Sequence, residues 1–416
     1  MTVSPSTLKP VVVRIPPDAL LCPSCGWKKP LPKLITNPSD LDKFTCFLFL
    51  SLTFVILDSI AVLDASISFT RFECLNILSK LFKFVLSKYM LMKTIQFREA
   101  ICEAMTEEMR RDDTIFLMGE EVAEYNGAYK ASKGMLDEFG ERRVIDTPIS
   151  ELGFAGIGVG STMTGNRPII EYMTFNFALV GIDQIINNAA KIRQMSGGQF
   201  NCPIVFRGPT ASAGQLAATH SQAFENWFAN TPGLKVIVPS NPYDAKGLLK
   251  SAIRDDDPVI FMESEQMYGD KGEVPEGEYT IPIGIADIKR EGSDVTIVSF
   301  GKIIKEAYKA ADELDKENIS CEIIDLRTVR PMDHEAILNS VKKTNRLVIL
   351  EEAWPFGNVA TEITYQVQSQ AFDYLDAPIE KINTADTPAP YSPVLLKEWL
   401  PNSEDVIKAV KKVLYK

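Results

Sequence analysis

Glu151 is the residue best placed to do chemistry, because it interrupts an otherwise apolar and glycine-rich stretch. It follows residues 146–150 and precedes small residues up to Gly160. Pro148 favours a turn and the small residues allow close backbone approach, so the pattern predicts a tightly packed helix that begins near Glu151. A carboxyl group in such a pocket could bond to a flat heterocycle. The alternative is an ordinary acidic residue that complements the dipole at a helix start.

Two further segments could complete a site around this carboxyl group. Residues 171–177 have the pattern of a strand and would bring aromatic rings beside Glu151. The small, polar segment 211–222 contains His220, one of 2 histidines in the chain. A histidine can donate or accept a proton near neutral pH, although a surface loop position would explain it equally well.

These segments need a sheet to hold them, and short apolar runs do alternate with amphipathic helical patterns along the chain. That alternation predicts an α/β fold with a doubly wound, mainly parallel sheet, whose loops at the carboxyl ends of the strands form the site. The predicted strands are 115–118, 203–209, which closes in a turn, 236–239 and 259–262, and the predicted helices are 97–109, 178–195 and 243–253.

Composition divides the chain into four parts. Residues 1–91 form an atypical extension, residues 92–270 the sheet domain, and residues 271–284 a linker in a stretch rich in Gly, Pro and Glu. Residues 285–416 contain strand patterns at 295–298, 321–324 and 347–350, with a helical pattern between the first two. A second α/β domain is therefore expected after the linker.

The extension differs from the rest in both charge and hydropathy. It holds ten Lys and Arg residues against six Asp and Glu residues, which leaves −15 on the remainder of a chain whose formal net charge is −11. Its uncharged apolar run at residues 44–57 is shorter than the roughly 20 residues of a spanning helix. Three interpretations are open: a membrane-associated extension, an unusual targeting segment, or translated sequence upstream of a true start at Met90 or Met92. We favour the third.

The acidic charge of the remainder argues against nucleic-acid binding, which needs a clustered basic surface. Hydrophobic residues make up 45% of the chain and charged residues 24%, the ordinary proportions of a soluble globular protein, and no membrane partner is expected. Three cysteines are scattered through residues 92–416, so no disulfide framework is predicted there.

The motifs around Glu151 carry a resemblance to a known family. Residues 119–122 and 144–177 resemble the pyrimidine-binding domain in beta subunits of thiamine-diphosphate-dependent 2-oxo acid dehydrogenases, and residues 285–416 resemble the transketolase C-terminal domain. The resemblance implies an oxidoreductase that decarboxylates pyruvate and passes the acetyl group to a lipoyl group. The alternatives are a branched-chain 2-oxo acid or acetoin dehydrogenase subunit and, from another class, a non-catalytic assembly subunit.

The resemblance also assigns roles to individual residues. Glu151 would bond to the 1′ nitrogen of the cofactor's aminopyrimidine, and Phe177 would stack against that ring. His220 would donate or orient a proton during decarboxylation or acyl transfer. The other residues expected near the cofactor are Met173, Glu120 and Glu121.

The helix end at residues 253–257 is either an acidic turn or a source of oxygen ligands for a hard cation. The resemblance implies a structural, potassium-like ion at this place. The residues expected around the ion are Ile204, Ala252, Ile253, Asp255 and Asp257.

The chain contains no Gly-Asp-Gly sequence, the element that in this family holds magnesium on the diphosphate. Half a cofactor site implies a second chain, so we expect an alpha subunit in an α2β2 heterotetramer, without which this chain would be inactive. The other implied partners are pyruvate and a dihydrolipoyl acetyltransferase core. The expected location is the cytoplasm of a bacterium, with the mitochondrial matrix as the alternative.

Overall fold

The computed structural model describes residues 91–416. The predictions for the extension, including its apolar run, lie outside the described residues. The strands are β1 Met92–Gln96, β2 Ile115–Gly119, β3 Val144–Asp146, β4 Arg167–Glu171, β5 Val205–Pro209, β6 Lys235–Ile237, β7 Val259–Glu263, β8 Lys271–Pro275, β9 Asp287–Arg290, β10 Val295–Ser299, β11 Cys321–Asp325, β12 Thr328–Arg330, β13 Leu347–Leu350 and β14 Glu380–Ile382.

Helices follow most of these strands, as the alternating sequence pattern predicts. The α-helices are α1 Phe97–Arg111, α2 Met135–Phe139, α3 Glu151–Thr162, α4 Ile192–Met195, α5 Glu225–Ala229, α6 Pro242–Arg254, α7 Ile304–Asp315, α8 His334–Thr344, α9 Val359–Gln370, α10 Pro393–Trp399 and α11 Ser403–Val413. None of the helices in residues 91–416 is long and apolar enough to cross a membrane.

The strands form two large sheets and one small one. The first sheet has the order β12-β6-β7-β5-β4-β2-β3 and the second has the order β14-β13-β10-β11-β9. Within these two sheets, neighbouring strands are parallel except for β12, antiparallel to β6, and β9, antiparallel to β11. The expected mainly parallel α/β architecture is therefore confirmed.

Both faces of the first sheet are buried. Successive residues of one strand enter opposite cores, so Leu117 and Ile169 belong to one hydrophobic cluster, and Met118 and Ile170 belong to another. This is the burial expected of a parallel sheet that carries helices on both sides. The cluster that contains Ile170 continues into the second sheet through residues such as Val298.

Helix α3 approaches β4 closely because Gly158 has no side chain. A Cβ atom at this position would lie 2.6 Å from Cδ1 of Ile170. A larger residue would push the helix away from the sheet, and with it Glu151 at the start of the same helix. The small-residue pattern noted in the sequence therefore sets the depth at which α3 packs.

Two local predictions are wrong. Strand β4 ends at Glu171, and the residues after it turn into a 3₁₀ helix, Phe175–Leu179, instead of continuing as a strand. The helix expected over residues 178–195 is broken into a π-helix, Gln184–Ala189, and the short helix α4. In this region the backbone of Gly181 packs on Glu151. A Cβ atom at position 181 would come within 2.9 Å of the Glu151 carbonyl oxygen.

Strand β8 lies within the stretch expected to be a linker. It pairs antiparallel with β1 along its whole length. Part of this connection is therefore tied to the start of the first domain.

Candidate functional site

The predicted site residues lie after four neighbouring strands of the first sheet. Glu120 follows β2, Glu151 begins the helix after β3, Phe177 lies after β4, and His220 lies in the loop after β5. These strands are adjacent in the order β5-β4-β2-β3 and run parallel, so their carboxyl ends meet at one edge. Such an edge is where parallel α/β sheets bind their ligands.

Glu120 and Glu151 form a buried acidic pair at this edge. Their exposed fractions are 5% and 6%. The backbone N–H of Met173 donates to Oε2 of Glu120 at 3.2 Å. Burial raises the pKa of Glu120, the Met173 N–H opposes that rise, and the nearby carboxyl group of Glu151 adds to it. Glu120 therefore holds its proton more readily than an exposed glutamate.

Glu121 differs from its neighbour. Its side chain is exposed and its backbone is left-handed, with φ of 59°. Its carbonyl oxygen accepts a hydrogen bond from the N–H of Gly127 at 2.8 Å. Glu121 thus shapes the turn after β2, while its carboxyl group faces solvent and not the buried pair.

Phe177 and His220 contact each other although 43 positions separate them in the chain. Their ring centroids lie 5.0 Å apart, with the rings edge to face at 88°. Nδ1 of His220 lies 3.0 Å from Oγ1 of Thr219. Phe177, His220 and Met173 are all half-buried, so they form a partly open surface beside the acidic pair.

Three buried hydroxyl groups in the same motifs have no hydrogen-bond partner among the described residues. They belong to Thr147, Tyr172 and Ser221. Tyr172 has 0% of its surface exposed, and a Cβ atom on Gly181 would lie 3.1 Å from its hydroxyl oxygen. Buried polar atoms are nearly always paired, so unpaired ones at one edge fit a polar ligand that completes them. An aminopyrimidine ring, flat and rich in hydrogen-bonding nitrogen, suits this environment.

Sequence reasoning did not single out these three hydroxyl groups. Thr147 and Ser221 are commonplace loop residues, and Tyr172 is one aromatic residue of a segment that was expected to be a strand. The available signal was that each of them lies in the same segment as Glu151, Phe177 or His220. Only their burial without partners distinguishes them.

Arg207, at the centre of β5, bonds to the last residues of the two neighbouring strands. It is fully buried on β5, bonds to Glu171 on β4, and donates two hydrogen bonds of 2.6 Å to Glu263 on β7. Burial raises the pKa of Glu171, with a further rise from Glu263 that Arg207 opposes. This ion pair holds the strand ends from which the site loops depart.

The five residues expected around a potassium-like ion do lie together, but their oxygen atoms already have partners. The guanidinium of Arg167 donates to the carbonyl oxygens of Ile253, at 3.0 Å, and Asp255, at 2.6 Å. The carbonyl oxygens of Ile204 and Ala252 accept backbone N–H groups.

The carboxylates of this segment are also paired. Nζ of Lys235 bonds to both carboxylate oxygens of Asp255, at 2.7 Å, and to Asp257 at 3.2 Å. Three cationic side chains, Arg167, Arg193 and Lys235, therefore supply positive charge beside these oxygen atoms, and an additional ion here stays a prediction. Across residues 91–416, no group of three or more His, Cys, Asp or Glu residues is placed to hold a metal.

Two family models match the chain. The transketolase pyrimidine-binding domain matches residues 93–271, and the transketolase C-terminal domain matches residues 284–406. Among solved structures, a split-gene transketolase described as an inactive beta4 tetramer superposes with a TM-score of 0.65, 21% identity, and coverage of 77% of this chain and 98% of that one. At this identity the likeness concerns the fold alone.

Curated relatives are much more similar in sequence. A protein of Rhizobium meliloti (strain 1021) named pyruvate dehydrogenase E1 component subunit beta is 57% identical over 326 residues, or 78% of this chain and 71% of the relative. A protein of Rickettsia felis with the same name is 56% identical, over 77% and 98% of the two chains. A rice protein, named as the mitochondrial beta-1 subunit, is 52% identical over 78% and 88%.

Proposed function

The chain belongs to the family of pyruvate dehydrogenase E1 component beta subunits, and on this premise we propose that it decarboxylates pyruvate and transfers the acetyl group to a lipoyl group. The observation that carries the proposal is the environment of Glu151. This carboxyl group is buried at the first turn of α3, beside Glu120 and the unpartnered hydroxyl group of Tyr172.

Thiamine diphosphate, when bound, supplies the electron sink that decarboxylation of a 2-oxo acid requires. The proposed role of Glu151 is to bond to the 1′ nitrogen of the aminopyrimidine and to exchange a proton there. Glu120 accepts the N–H of Met173 and so holds the start of the segment that carries Phe177 against Glu151. Phe177 offers its ring to the pyrimidine, and His220, in contact with Phe177, holds or moves a proton near the reacting atoms.

A second subunit is part of the proposal because this chain contains no Gly-Asp-Gly sequence to hold magnesium and diphosphate. We assign those contacts to an alpha subunit in an α2β2 assembly, with active sites between the subunits. A dihydrolipoyl acetyltransferase core would receive the acetyl group. Relatives include bacterial and mitochondrial proteins, so the bacterial cytoplasm is proposed as the location, with the mitochondrial matrix as the alternative.

The test is to co-express the chain with an alpha-type subunit that contains Gly-Asp-Gly and to measure release of carbon dioxide from pyruvate. We expect Glu151→Gln to lower turnover by about 10² to 10⁴-fold, the usual contribution of a positioned acid or base. Glu141→Gln, which changes an exposed glutamate before β3, is the matched control and should leave turnover unchanged. Near-normal turnover of Glu151→Gln in a folded complex would rule out the assigned role.

The same preparation tests the need for a partner. The purified chain alone, supplied with thiamine diphosphate and magnesium, should not release carbon dioxide from pyruvate. Full activity without any second subunit would reject the shared-site proposal while leaving the role of Glu151 open to the first experiment.

A further inference from the structure

The loop that carries His220 is joined at its C-terminal end to the segment that carries Phe177. The N–H of Gln222 donates to Oδ1 of Asn176 at 3.0 Å, and the carbonyl oxygen of Gln222 accepts the N–H of Ala211 at 2.9 Å. The two ends of the loop are therefore fastened to each other and to the residue next to Phe177.

Two alanines of this loop adopt unfavourable backbone conformations. Ala211 and Ala217 have φ of 61° and 63°, values that alanine rarely adopts. Each such alanine costs roughly 1–3 kcal/mol and persists only when its surroundings enforce it. Some of the contacts that hold this loop in its conformation come from the second domain.

Every hydrogen-bonding group of Ser212 is bonded to a residue beyond position 300. Nζ of Lys302 donates to the carbonyl oxygen of Ser212 and, at 2.6 Å, to its Oγ. Oε1 of Glu352 accepts the N–H of Ser212 at 2.8 Å and lies 3.1 Å from Nζ of Lys302. Ser212 is completely buried, so these bonds are shielded from competing water.

We propose that Lys302 and Glu352, through this Ser212 clamp, are positioning residues for the His220 loop in the reaction assigned above. The inference rests on the proposed function, because it concerns the placement of His220 relative to bound substrate. The clamp holds Ser212, the neighbour of Ala211, close to the point where the loop leaves β5. A shift at this point moves the loop that brings His220 against Phe177, and a misplacement of about 1 Å in a catalytic group can cost about 10²-fold in rate.

The surroundings of the clamp make a conservative replacement possible. A cavity of about 20 Å³ adjoins Lys302 and is lined by Glu225, Ser264 and Glu352, among others. Oγ of Ser264 and Oε2 of Glu352 have no partner among the described residues, so a longer cationic side chain at position 302 would find both space and acceptors.

The experiment compares Lys302→Met with Lys302→Arg in the complex with an alpha-type subunit. Lys302→Met should lower kcat for pyruvate about 10- to 100-fold because the loop loses its anchor, with KM and the Kd of thiamine diphosphate changed by no more than about twofold. Lys302→Arg, which keeps the charge and several donors, should recover kcat to within about threefold of the unaltered chain.

Lys305→Met is the matched control. Lys305 lies on α7 and pairs with Asp270, and its side chain is 44% exposed, so the variant removes a lysine ion pair close to position 302 without touching the loop. Its kcat should equal that of the unaltered complex.

A purely structural role for Lys302 predicts a different result. If Lys302→Met lowers the melting temperature but leaves kcat intact, or if Lys302→Arg fails to restore kcat, the proposal is overturned. Should Lys302→Met not assemble, Glu352→Ala decides, because it removes the acceptor of the Ser212 N–H and the partner of Lys302. A reduced kcat in a folded complex supports the clamp, and an unchanged kcat refutes it. An unaltered complex that does not turn over pyruvate would reject the proposed function itself.

Discussion

Three glutamates expected near one cofactor show how strongly the surroundings of a residue determine its properties. Glu120 and Glu151 are almost completely buried, whereas Glu121, next in the chain to Glu120, is exposed. Glu121 also differs in its backbone, which is left-handed with φ of 59°. A solvated carboxyl group also bonds to water, so it binds a cofactor nitrogen less selectively than a buried carboxyl group does.

Tyr172 provides a test at the scale of one residue. Burial raises the pKa of its hydroxyl group, and the charges of Glu151 and Glu120 add to that rise, so the group remains a neutral and unpaired donor. Because an unpaired buried hydroxyl group costs about 1–3 kcal/mol, Tyr172→Phe should raise the free energy of unfolding in the absence of thiamine diphosphate.

The matched variant is Tyr268→Phe. The Tyr268 hydroxyl group donates to Glu263 at 2.7 Å, so its removal should lower the free energy of unfolding. Chemical denaturation of both variants gives the sign of each change. A stability loss in Tyr172→Phe equal to that in Tyr268→Phe would show that the Tyr172 hydroxyl group has a partner in solution.

At the scale of elements, the site depends on how the ends of neighbouring strands are joined. Strands β4 and β7 end in Glu171 and Glu263, and both carboxylates bond to Arg207 at the centre of β5, the strand between them. Helix α3 is held against β4 by the absence of a side chain at Gly158. Strand ends and helix start are thereby fixed relative to each other before any ligand binds.

Replacement of Arg207 by Met should be strongly destabilising. It leaves Glu171 and Glu263 buried without a counter-charge, and breaking a buried pair in this way costs about 3–5 kcal/mol. Arg110→Met is the comparison, because the Arg110–Glu138 pair is largely exposed and such pairs contribute at most about 1 kcal/mol. Urea unfolding would measure both, and equal losses would contradict the importance given to burial of the Arg207 pair.

At the scale of the whole described molecule, the two domains share structure. Strand β12, which lies beyond the connection, pairs with β6 at the edge of the first sheet. Glu225, at the start of α5, is buried near Lys302 and Glu352 of the second domain. Burial raises the pKa of Glu225 to about 8, with further rises from Glu351 and Glu352 that Lys302 partly offsets.

This raised pKa predicts that stability falls as the pH rises. Between the ordinary glutamate pKa of 4.5 and about 8, the folded chain keeps a proton that the unfolded chain has lost. Unfolding then releases a proton, and stability decreases by up to about 1.4 kcal/mol per pH unit. Glu225→Gln should flatten this decline between pH 6 and pH 8 in denaturant titrations.

A smaller slope should remain in that variant, because burial also raises the pKa of Glu351, to about 7. Glu335→Gln, an exposed glutamate at the start of α8, should keep the full slope of the unaltered chain. A decline of equal steepness with and without Glu225 would show that its carboxyl group is solvated.

Much of the architecture could be predicted from the sequence. Apolar runs marked strands β2, β5, β6, β7, β10, β11 and β13, and helical spacing marked helices such as α1, α6 and α7, because burial of one face imposes those periods on the chain. The residue types near Glu151, Phe177 and His220 also indicated one site, since loops that follow adjacent parallel strands meet at one edge.

Other features were decided only by the tertiary structure. The contact of Ser212 with Lys302 joins positions 90 apart, and the strand β12 leaves the second domain to complete the first sheet. The unpaired hydroxyl group of Tyr172 and the broken helix after Phe177 depend on what packs against them. Residue patterns indicate which face of a helix or strand is buried, but they do not indicate which other element packs against that face. Hydrogen-bond pairing and charge compensation in the core therefore arise only when distant segments of the chain come together.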